Sequence, residues 1–189
     1  RNRRYRYLML GLRKYRAIAA NGGWGKVSSG GKLKKGMKVV AWQDTGEPRP
    51  GFYAQYNAFP ERALLQIPKR LTPIEIASLE LAMCVEVSFQ QLAQLGGVKG
   101  RRVGISGLGP AGLLAVQLAK WGGARVIATC STRDSAQVLD AGADVALDYA
   151  TPDLAAAVLD ANAGKPVETI IEVEFGLNIS ADADIIAPN

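Results

Sequence analysis

Short apolar runs alternate with longer segments of helical spacing through the second half of this chain. Apolar runs of strand length lie at 102–106, 125–129, 144–148 and 167–173. Segments whose apolar residues have helical spacing lie at 110–121, 135–141 and 153–163. Continuous apolar strands are typical of parallel sheets covered on both faces. Their alternation with helices predicts an α/β fold with a doubly wound parallel sheet.

The first of these strands runs directly into a glycine-rich turn. Residues 103–112 read VGISGLGPAG, with Pro110 in the first turn of the following helix. A G-x-G-x-x-G turn between strand and helix points backbone N–H groups and a helix dipole at a pyrophosphate. In this pattern Gly107 forms the tight turn, Gly109 lets phosphate approach, and Gly112 permits helix–strand packing. A turn without a ligand is the alternative, and the complete β-α-β unit favours dinucleotide binding.

The end of the second strand bears on the choice of dinucleotide. Residues 130–133 read CSTR, with no acid where an NAD site carries a carboxylate for the ribose hydroxyl. A hydroxyl pair followed by arginine suits a 2′-phosphate, because guanidinium binds phosphate bidentately. We therefore predict NADP(H), with Ser131 and Arg133 at the 2′-phosphate, while Asp134 keeps NAD as the alternative. Cys130 is interpreted as a small buried filler, not a reactive thiol.

The first 70 residues predict a smaller, β-rich unit. Strand-like stretches lie at 34–42, 51–58 and 63–67, and the glycine pairs 22–23 and 30–31 indicate loops. We expect one domain over residues 1–70 and the dinucleotide-binding domain over 71–189.

A helix is predicted to begin just after that boundary. Thr72 is its expected N-cap, with Pro73 at the first helical position and Glu75 completing a capping box.

Charge and composition narrow the classes of partner. Residues 1–43 hold 12 Lys or Arg and no acid, whereas residues 44–189 hold 11 against 17 acids. A basic arm of this kind binds nucleic acid or forms a solvated face, and the chain carries no signature of a nucleic-acid module. No apolar run reaches membrane-spanning length, and no secretory signal is recognisable. Two cysteines fit a reducing compartment, so we expect a cytoplasmic protein.

These segments together resemble the medium-chain dehydrogenase/reductase superfamily, most closely its zinc-independent quinone oxidoreductase branch, the zeta-crystallin-like enzymes. The residues that carry the resemblance are KKGMKVVAW (34–42), GFYAQYNAFP (51–60), LTPIEIASLELAMC (71–84), VKGRRVGISGLGPAGLLAVQLAKWGGARVIA (98–128), AGADVALDY (141–149) and VETIIEVEFGLN (167–178).

The resemblance implies a Rossmann domain preceded by part of a GroES-like β-barrel domain. It also implies a homo-oligomer, either dimer or tetramer, in which NADPH gives hydride to a quinone, an enone or a similar carbonyl acceptor. Implied cofactor contacts are Gly107, Gly109, Pro110, Ala111 and Gly112 at the pyrophosphate, Ser131 and Arg133 at the 2′-phosphate, and Tyr149 near the adenosine. An alcohol dehydrogenase of the same superfamily and a non-catalytic dinucleotide- or RNA-binding remnant are the alternatives.

Departures from the family pattern concern metal binding and catalysis. Zinc-dependent relatives carry Gly-His-Glu near the place where this chain reads Gly11-Leu12-Arg13, and the sequence contains no histidine. Cys84 alone cannot hold a metal ion, so no catalytic metal is expected. No catalytic residue is assigned, and Glu172 and Glu174 at the end of the fourth strand either line the cleft or are solvated. Without an initiating Met, and ending before the remaining Rossmann strands, the chain is expected to be part of a longer enzyme.

Overall fold

A computed structural model of the chain describes residues 23–29, 32–41, 55–56, 58–173 and 175–188. Two compact units divide the chain into Arg1–Met83 and Cys84–Asn189. The boundary predicted from the sequence, between residues 70 and 71, precedes this division. None of the helices in the described residues is long and apolar enough to cross a membrane.

The first unit contains a small antiparallel sheet. Its strands are β1 (Gly23–Lys26), β2 (Lys38–Ala41) and β3 (Leu64–Gln66), with β2 between the other two. A 3-10 turn (Glu61–Ala63) leads into β3, and the short helix α1 (Pro73–Ile76) follows it. The core of this unit consists of Val40, Ile67 and Ile76, with Leu71 and Leu79 packed against them.

Several sequence predictions for this unit can be compared with its structure. The strands expected at 34–42 and 63–67 are present as the shorter β2 and β3, and the capping box of α1 is confirmed, since the Thr72 N–H donates to Glu75 Oε2 at 2.6 Å. The loop expected at Gly22–Gly23 is wrong for Gly23, which begins β1 and pairs with Ala41.

Other predictions for the first unit lie outside the described residues. The strand expected at 51–58 falls largely on such residues, since 51–54 and 57 are not described. The glycine pair 30–31 is not described either.

The second unit is built on a four-stranded parallel sheet. Its elements in chain order are α2 (Leu79–Gln94, which begins in the first unit), β4 (Arg102–Ser106), α3 (Pro110–Trp121), β5 (Arg125–Cys130), a 3-10 turn (Thr132–Asp134), α4 (Ser135–Asp140), β6 (Val145–Asp148), α5 (Leu154–Ala161), β7 (Thr169–Glu172) and α6 (Phe175–Ile185). The strand order is β6-β5-β4-β7, with all three pairings parallel. The doubly wound α/β fold predicted from the alternation is confirmed.

Apolar side chains project from both faces of this sheet. This explains why the sequences of its strands are nearly continuous apolar runs. One face buries Val103, Ile105 and Val126 against Val116 and Ala119 of α3. The opposite face is covered by a second cluster, which consists of Ile127, Val158, Val167 and Ile185. The sheet is therefore a middle layer between two helical layers.

Strand β4 is the point at which the strand order reverses. The chain continues from β4 to β5 and β6 on one side, and then crosses over to β7 on the other. In open α/β sheets, ligands bind at such a point, outside the carboxyl ends of the strands. The glycine-rich turn leaves β4 at that end.

Candidate functional site

A cleft of about 580 Å³ lies at the carboxyl edge of the parallel sheet. Most of the site residues predicted from the sequence line it: Gly107, Gly109, Pro110, Ala111, Ser131, Arg133 and Tyr149. Gly112 is buried in the first turn of α3 and is not among the residues that line the cleft. The fold therefore brings together residues that three separate β–α connections contribute.

The glycine turn has the backbone shape that the pattern predicts. Gly107 has φ +83°, a left-handed conformation that favours glycine, and its carbonyl accepts from the Gly109 N–H at 2.9 Å. Helix α3 then begins with Gly109 as N-cap and Pro110 in its first turn. The N–H groups of Ala111 and Gly112 lie in this first turn, where a helix offers them no internal acceptor.

The space around the turn differs between its second and third glycines. A Cβ built on Gly109 meets no atom within 4 Å, so this glycine faces open space. A Cβ built on Gly112 would collide with the carbonyl oxygen of Gly107 and lie 3.1 Å from its carbonyl carbon. One glycine thus leaves room on the cleft side while the other lets the helix pack on the turn. A helix N-terminus whose first N–H groups have no acceptor within the helix favours the binding of anions.

The end of β5 carries a cluster of three polar side chains. The Ser131 hydroxyl donates to Asp134 Oδ2 at 2.6 Å, and Arg133 Nε donates to Asp134 Oδ1 at 3.2 Å. The hydrogen bond from Ser131, followed by that from Arg133, holds the pKa of Asp134 below its ordinary value. Asp134 likewise raises the pKa of Arg133. The sequence analysis noted Asp134 next to Arg133. It did not predict that the Asp134 carboxylate accepts hydrogen bonds from both Ser131 and Arg133, the side chains proposed to bind the 2′-phosphate.

Tyr149 lies across the cleft, immediately after β6. Its N–H donates to the Cys130 carbonyl at 3.0 Å, and its side chain is 62% exposed. The neighbouring Asp148 accepts hydrogen bonds from the Thr132 hydroxyl and from the Ala150 N–H, and these bonds lower the pKa of Asp148. The tyrosine ring is therefore open to solvent at the mouth of the cleft, on a backbone fixed by β5 and β6.

Cys130 is buried, as expected for a filler. Burial raises the pKa of its thiol, and the carboxylates of Asp134 and Asp148 act in the same direction. A protonated thiol is a poor nucleophile, so this position serves packing.

The β7 side of the cleft is formed by Val173 and Asn178, next to Ser106 at the end of β4. Asn178 Nδ2 donates to Ser106 Oγ at 3.0 Å and to Glu172 Oε1 at 3.2 Å. Sequence reasoning missed Asn178, because a single amide in a helix carries no recognisable pattern. Glu172 is half-buried on this network and is not among the residues that line the cleft. Glu174 lies outside the described residues.

Metal binding has little support in the described part of the chain. It contains no group of three or more His, Cys, Asp or Glu side chains placed to hold a metal ion. Cys84 is exposed on α2. The absence of a catalytic metal stays a prediction from the lack of histidine.

Comparison with known proteins places the chain in a family. Residues 110–188 match the family model described as zinc-binding dehydrogenase. The chain is 33% identical over 163 residues to a chloroplast envelope quinone oxidoreductase homolog of Arabidopsis thaliana, covering 82% of the chain and 48% of the relative. It is 35% identical over 132 residues to a chloroplastic NADPH-dependent alkenal/one oxidoreductase of the same plant, covering 66% and 34%.

A solved structure agrees with these relatives. The quinone oxidoreductase of Pseudomonas syringae pv. Tomato DC3000 superposes with a TM-score of 0.75 at 26% identity, over 88% of this chain and 52% of that one. The chain spans about half the length of the curated relatives that it matches.

The four-stranded parallel sheet, with a glycine turn between β4 and α3, has the Rossmann type of fold. The chain belongs to the medium-chain dehydrogenase/reductase superfamily and resembles its quinone oxidoreductase branch. The family predicted from the sequence is confirmed, and the fold class of a Rossmann sheet preceded by part of a GroES-like domain is confirmed with it.

Proposed function

We propose that this chain is the cofactor-binding part of an NADPH-dependent reductase of quinones, enones or similar carbonyl compounds. The observation that carries the proposal is the cleft at the carboxyl edge of the sheet, in which the glycine turn, Ser131, Arg133 and Tyr149 meet. NADPH, when bound, supplies the hydride, and the protein supplies binding, orientation and exclusion of water.

Different residues of the cleft bind different parts of the cofactor. The N–H groups at the start of α3 hold the pyrophosphate, and Gly109 lets it approach the backbone. Ser131 and Arg133 hold the 2′-phosphate, and the exposed ring of Tyr149 covers the adenosine. The nicotinamide then lies on the β7 side, beside Val173 and Asn178, because a dinucleotide spans the point where the strand order reverses.

The names of the relatives support the class of acceptor. Quinone oxidoreductase and NADPH-dependent alkenal/one oxidoreductase both describe hydride delivery to an electrophilic, conjugated acceptor. The whole protein's substrate, its assembly as a dimer or tetramer and its cytoplasmic location are parts of the same proposal.

The test is acceptor-dependent oxidation of NADPH by the purified chain and by any longer protein that contains it. We expect loss of NADPH absorbance with quinones or α,β-unsaturated ketones, and a much slower loss with Gly109→Val, whose side chain occupies the space assigned to the pyrophosphate. Reduction of NADP⁺ by simple alcohols alone would favour an alcohol dehydrogenase, the alternative that the family description zinc-binding dehydrogenase supports. Binding of NADPH without turnover by any form would indicate a non-catalytic dinucleotide-binding protein.

A further inference from the structure

Three polar side chains lie side by side across the carboxyl edge of the parallel sheet, and we call them the polar row. Thr129 of β5 and Glu172 of β7 are the two register partners of Ser106, the last residue of β4. Paired residues of neighbouring strands direct their side chains to the same face of a sheet. Two residues earlier in β5 and β7, Ile127 and Ile170 belong to the apolar cluster of this face. The polar row is therefore the border at which an apolar face meets the cleft.

Asn178, in the first turn of α6, donates both N–H bonds of its amide to the polar row. Its Nδ2 donates to Ser106 Oγ at 3.0 Å and to Glu172 Oε1 at 3.2 Å. A carboxylate oxygen only accepts hydrogen bonds, so Glu172 holds the amide with its nitrogen, and not its oxygen, toward the row. Ser106 therefore accepts a hydrogen bond from Asn178.

The Ser106 hydroxyl oxygen also accepts a hydrogen bond from Thr129. Thr129 Oγ1 lies 3.1 Å from Ser106 Oγ, and Thr129 is 9% exposed. A buried hydroxyl needs an acceptor for its proton, and Ser106 Oγ is the acceptor that the described residues provide. Thr129 is therefore the donor of this pair.

These two bonds determine what the Ser106 hydroxyl can offer to a ligand. A serine hydroxyl can accept two hydrogen bonds and donate one. Asn178 and Thr129 fill its accepting capacity, so what remains is its own proton. Ser106 lines the cleft between the glycine turn and the β7 side. Its proton is thus available to an acceptor atom in the cleft.

We propose that Ser106 is a further cofactor-binding residue, whose hydroxyl donates to an oxygen of the ribose phosphate that carries the nicotinamide. Asn178 is the positioning residue that sets Ser106 as a donor. Ser106 immediately precedes Gly107, and Asn178 and Val173 next to it form the β7 side of the cleft. The oxygens of a ribose and of a phosphate both accept hydrogen bonds. This inference rests on the proposed function, because its ligand is a dinucleotide.

The contact is tested by the affinities of Ser106→Ala for two ligands, measured by calorimetry. NADP⁺ contains the nicotinamide half, whereas adenosine 2′,5′-bisphosphate carries the 2′-phosphate but ends at its single 5′-phosphate. We expect the affinity for NADP⁺ to fall about threefold to tenfold, the range of one hydrogen bond, and the affinity for the bisphosphate to stay native. An unchanged affinity for NADP⁺, or an equal loss for both ligands, overturns the contact.

Two further variants support this comparison. Ser180→Ala, an exposed change on the same helix α6, is the matched control and leaves both affinities at their native values. Ser106→Cys keeps nearly the volume of serine but provides only a weak donor, so it should lose affinity for NADP⁺ as Ser106→Ala does. It replaces Ser106→Ala if urea unfolding shows that the alanine variant is not folded.

A third ligand distinguishes the two kinds of oxygen. Adenosine 5′-diphosphate 2′-phosphate has both phosphates of the pyrophosphate but no second ribose. If Ser106→Ala loses as much affinity for this ligand as for NADP⁺, the acceptor is a phosphate oxygen. Native affinity for it assigns the hydrogen bond to the ribose.

The role of Asn178 is tested by exchanging the amide and the carboxylate. Glu172→Gln/Asn178→Asp keeps the number of carboxyl groups but places an acceptor opposite Ser106, which then donates to this new carboxylate instead of to the ligand. We expect Ser106→Ala to weaken NADP⁺ binding about threefold to tenfold in the native background and by a factor near one in the exchanged background. An equal loss in both backgrounds overturns the role of Asn178.

The remaining outcomes separate this inference from the proposed function. Native chain that binds NADP⁺ and the bisphosphate, with Ser106→Ala equal to it for both ligands, overturns the inference alone. Native chain that binds neither ligand overturns the proposed function, and the inference with it.

Discussion

Gly112 packs its α carbon against the carbonyl group of Gly107, with no space between them for a side chain. This contact fixes helix α3 on the glycine turn, and it defines the direction in which the first N–H groups of the helix point. Gly109, two residues after Gly107, faces open space instead. The two glycines therefore serve different purposes, and substitutions separate them.

Gly112→Ala is expected to destabilise the second unit. Its Cβ meets backbone atoms of Gly107 that cannot rotate away, so the helix must shift. Overpacking of this kind costs about 1–3 kcal/mol. Urea unfolding measures the loss, and an unchanged unfolding midpoint would contradict the packing described for this turn.

Gly109→Val is the matched change on the cleft side. Gly109 has φ −77°, which valine adopts without strain, so the free energy of unfolding should stay within about 1 kcal/mol of the native value. The branched side chain occupies the space assigned to the pyrophosphate. We therefore expect the affinity for NADPH to fall by about tenfold or more. Retention of native affinity would remove the pyrophosphate from this turn.

Asp134 competes with the proposed 2′-phosphate for the same donors. Its carboxylate holds both the Ser131 hydroxyl and the Arg133 guanidinium. We expect Asp134→Asn to bind NADPH about threefold to tenfold more tightly, with NADH affected less, because it removes a negative charge beside the phosphate. Paired fluorescence titrations measure the change. Weaker NADPH binding in this variant would instead make Asp134 a support that orients Arg133.

Asp144 joins the end of α3 to β5. Its Oδ1 accepts from Lys120 Nζ at 2.6 Å and its Oδ2 from the Val126 N–H at 2.8 Å. Burial acts to raise the pKa of Asp144, but the bonds from Lys120 and Val126 outweigh it, and the pKa lies below its ordinary value. Such a carboxylate stabilises the fold above the ordinary aspartate pKa, and this stability is lost as the pH falls through the lowered value.

Asp144→Asn should therefore lower the free energy of unfolding at neutral pH by about 1–3 kcal/mol, with a smaller difference from the native chain in acid. Urea unfolding at several pH values gives the comparison, and Asp160→Asn, an exposed change on α5, is the control. A difference between Asp144→Asn and the native chain that does not shrink in acid would show that the carboxylate charge is irrelevant.

The second unit follows closely from its sequence because local and long-range signals agree there. Pro110 opens α3 at the predicted residue, and the helix ends at Trp121, as expected from the segment 110–121, with Gly122 and Gly123 after it. The predicted strand 167–173 is longer than β7 (Thr169–Glu172), although the N–H groups of Glu168 and Val173 on either side still donate to the Arg102 and Ser106 carbonyls of β4.

Other features depend on tertiary context that no local pattern carries. Trp121 continues the apolar spacing of α3 but is 86% exposed, because it lies on the last turn, beyond the sheet. Strand β1 was missed because its short GWGK sequence carries two glycines, which favour turns over strands. Its place is set by pairing with β2.

The residues of the candidate site likewise include some that a local sequence pattern predicts and some that only the tertiary structure brings together. The glycine turn has a sequence signature because its backbone shape demands particular residues. Ser106 and Asn178 are far apart in the chain and meet only when α6 packs beneath the sheet. Side chains of this kind have no fixed spacing, so Ser106 and Asn178 were not predicted as residues of the cleft.

The central claim is that this cleft binds NADPH through Arg133, and one pair of titrations tests it most directly. Native chain and Arg133→Gln are each titrated with NADPH and with NADH, and bound nucleotide is followed by fluorescence. The Arg133 side chain is 87% exposed, and its guanidinium pairs with the Asp134 carboxylate at the surface. We expect the native chain to prefer NADPH, and Arg133→Gln to lose about tenfold or more of NADPH affinity with that for NADH little changed. Equal affinities of the native chain for the two nucleotides, or an equal loss of both in Arg133→Gln, would contradict the claim.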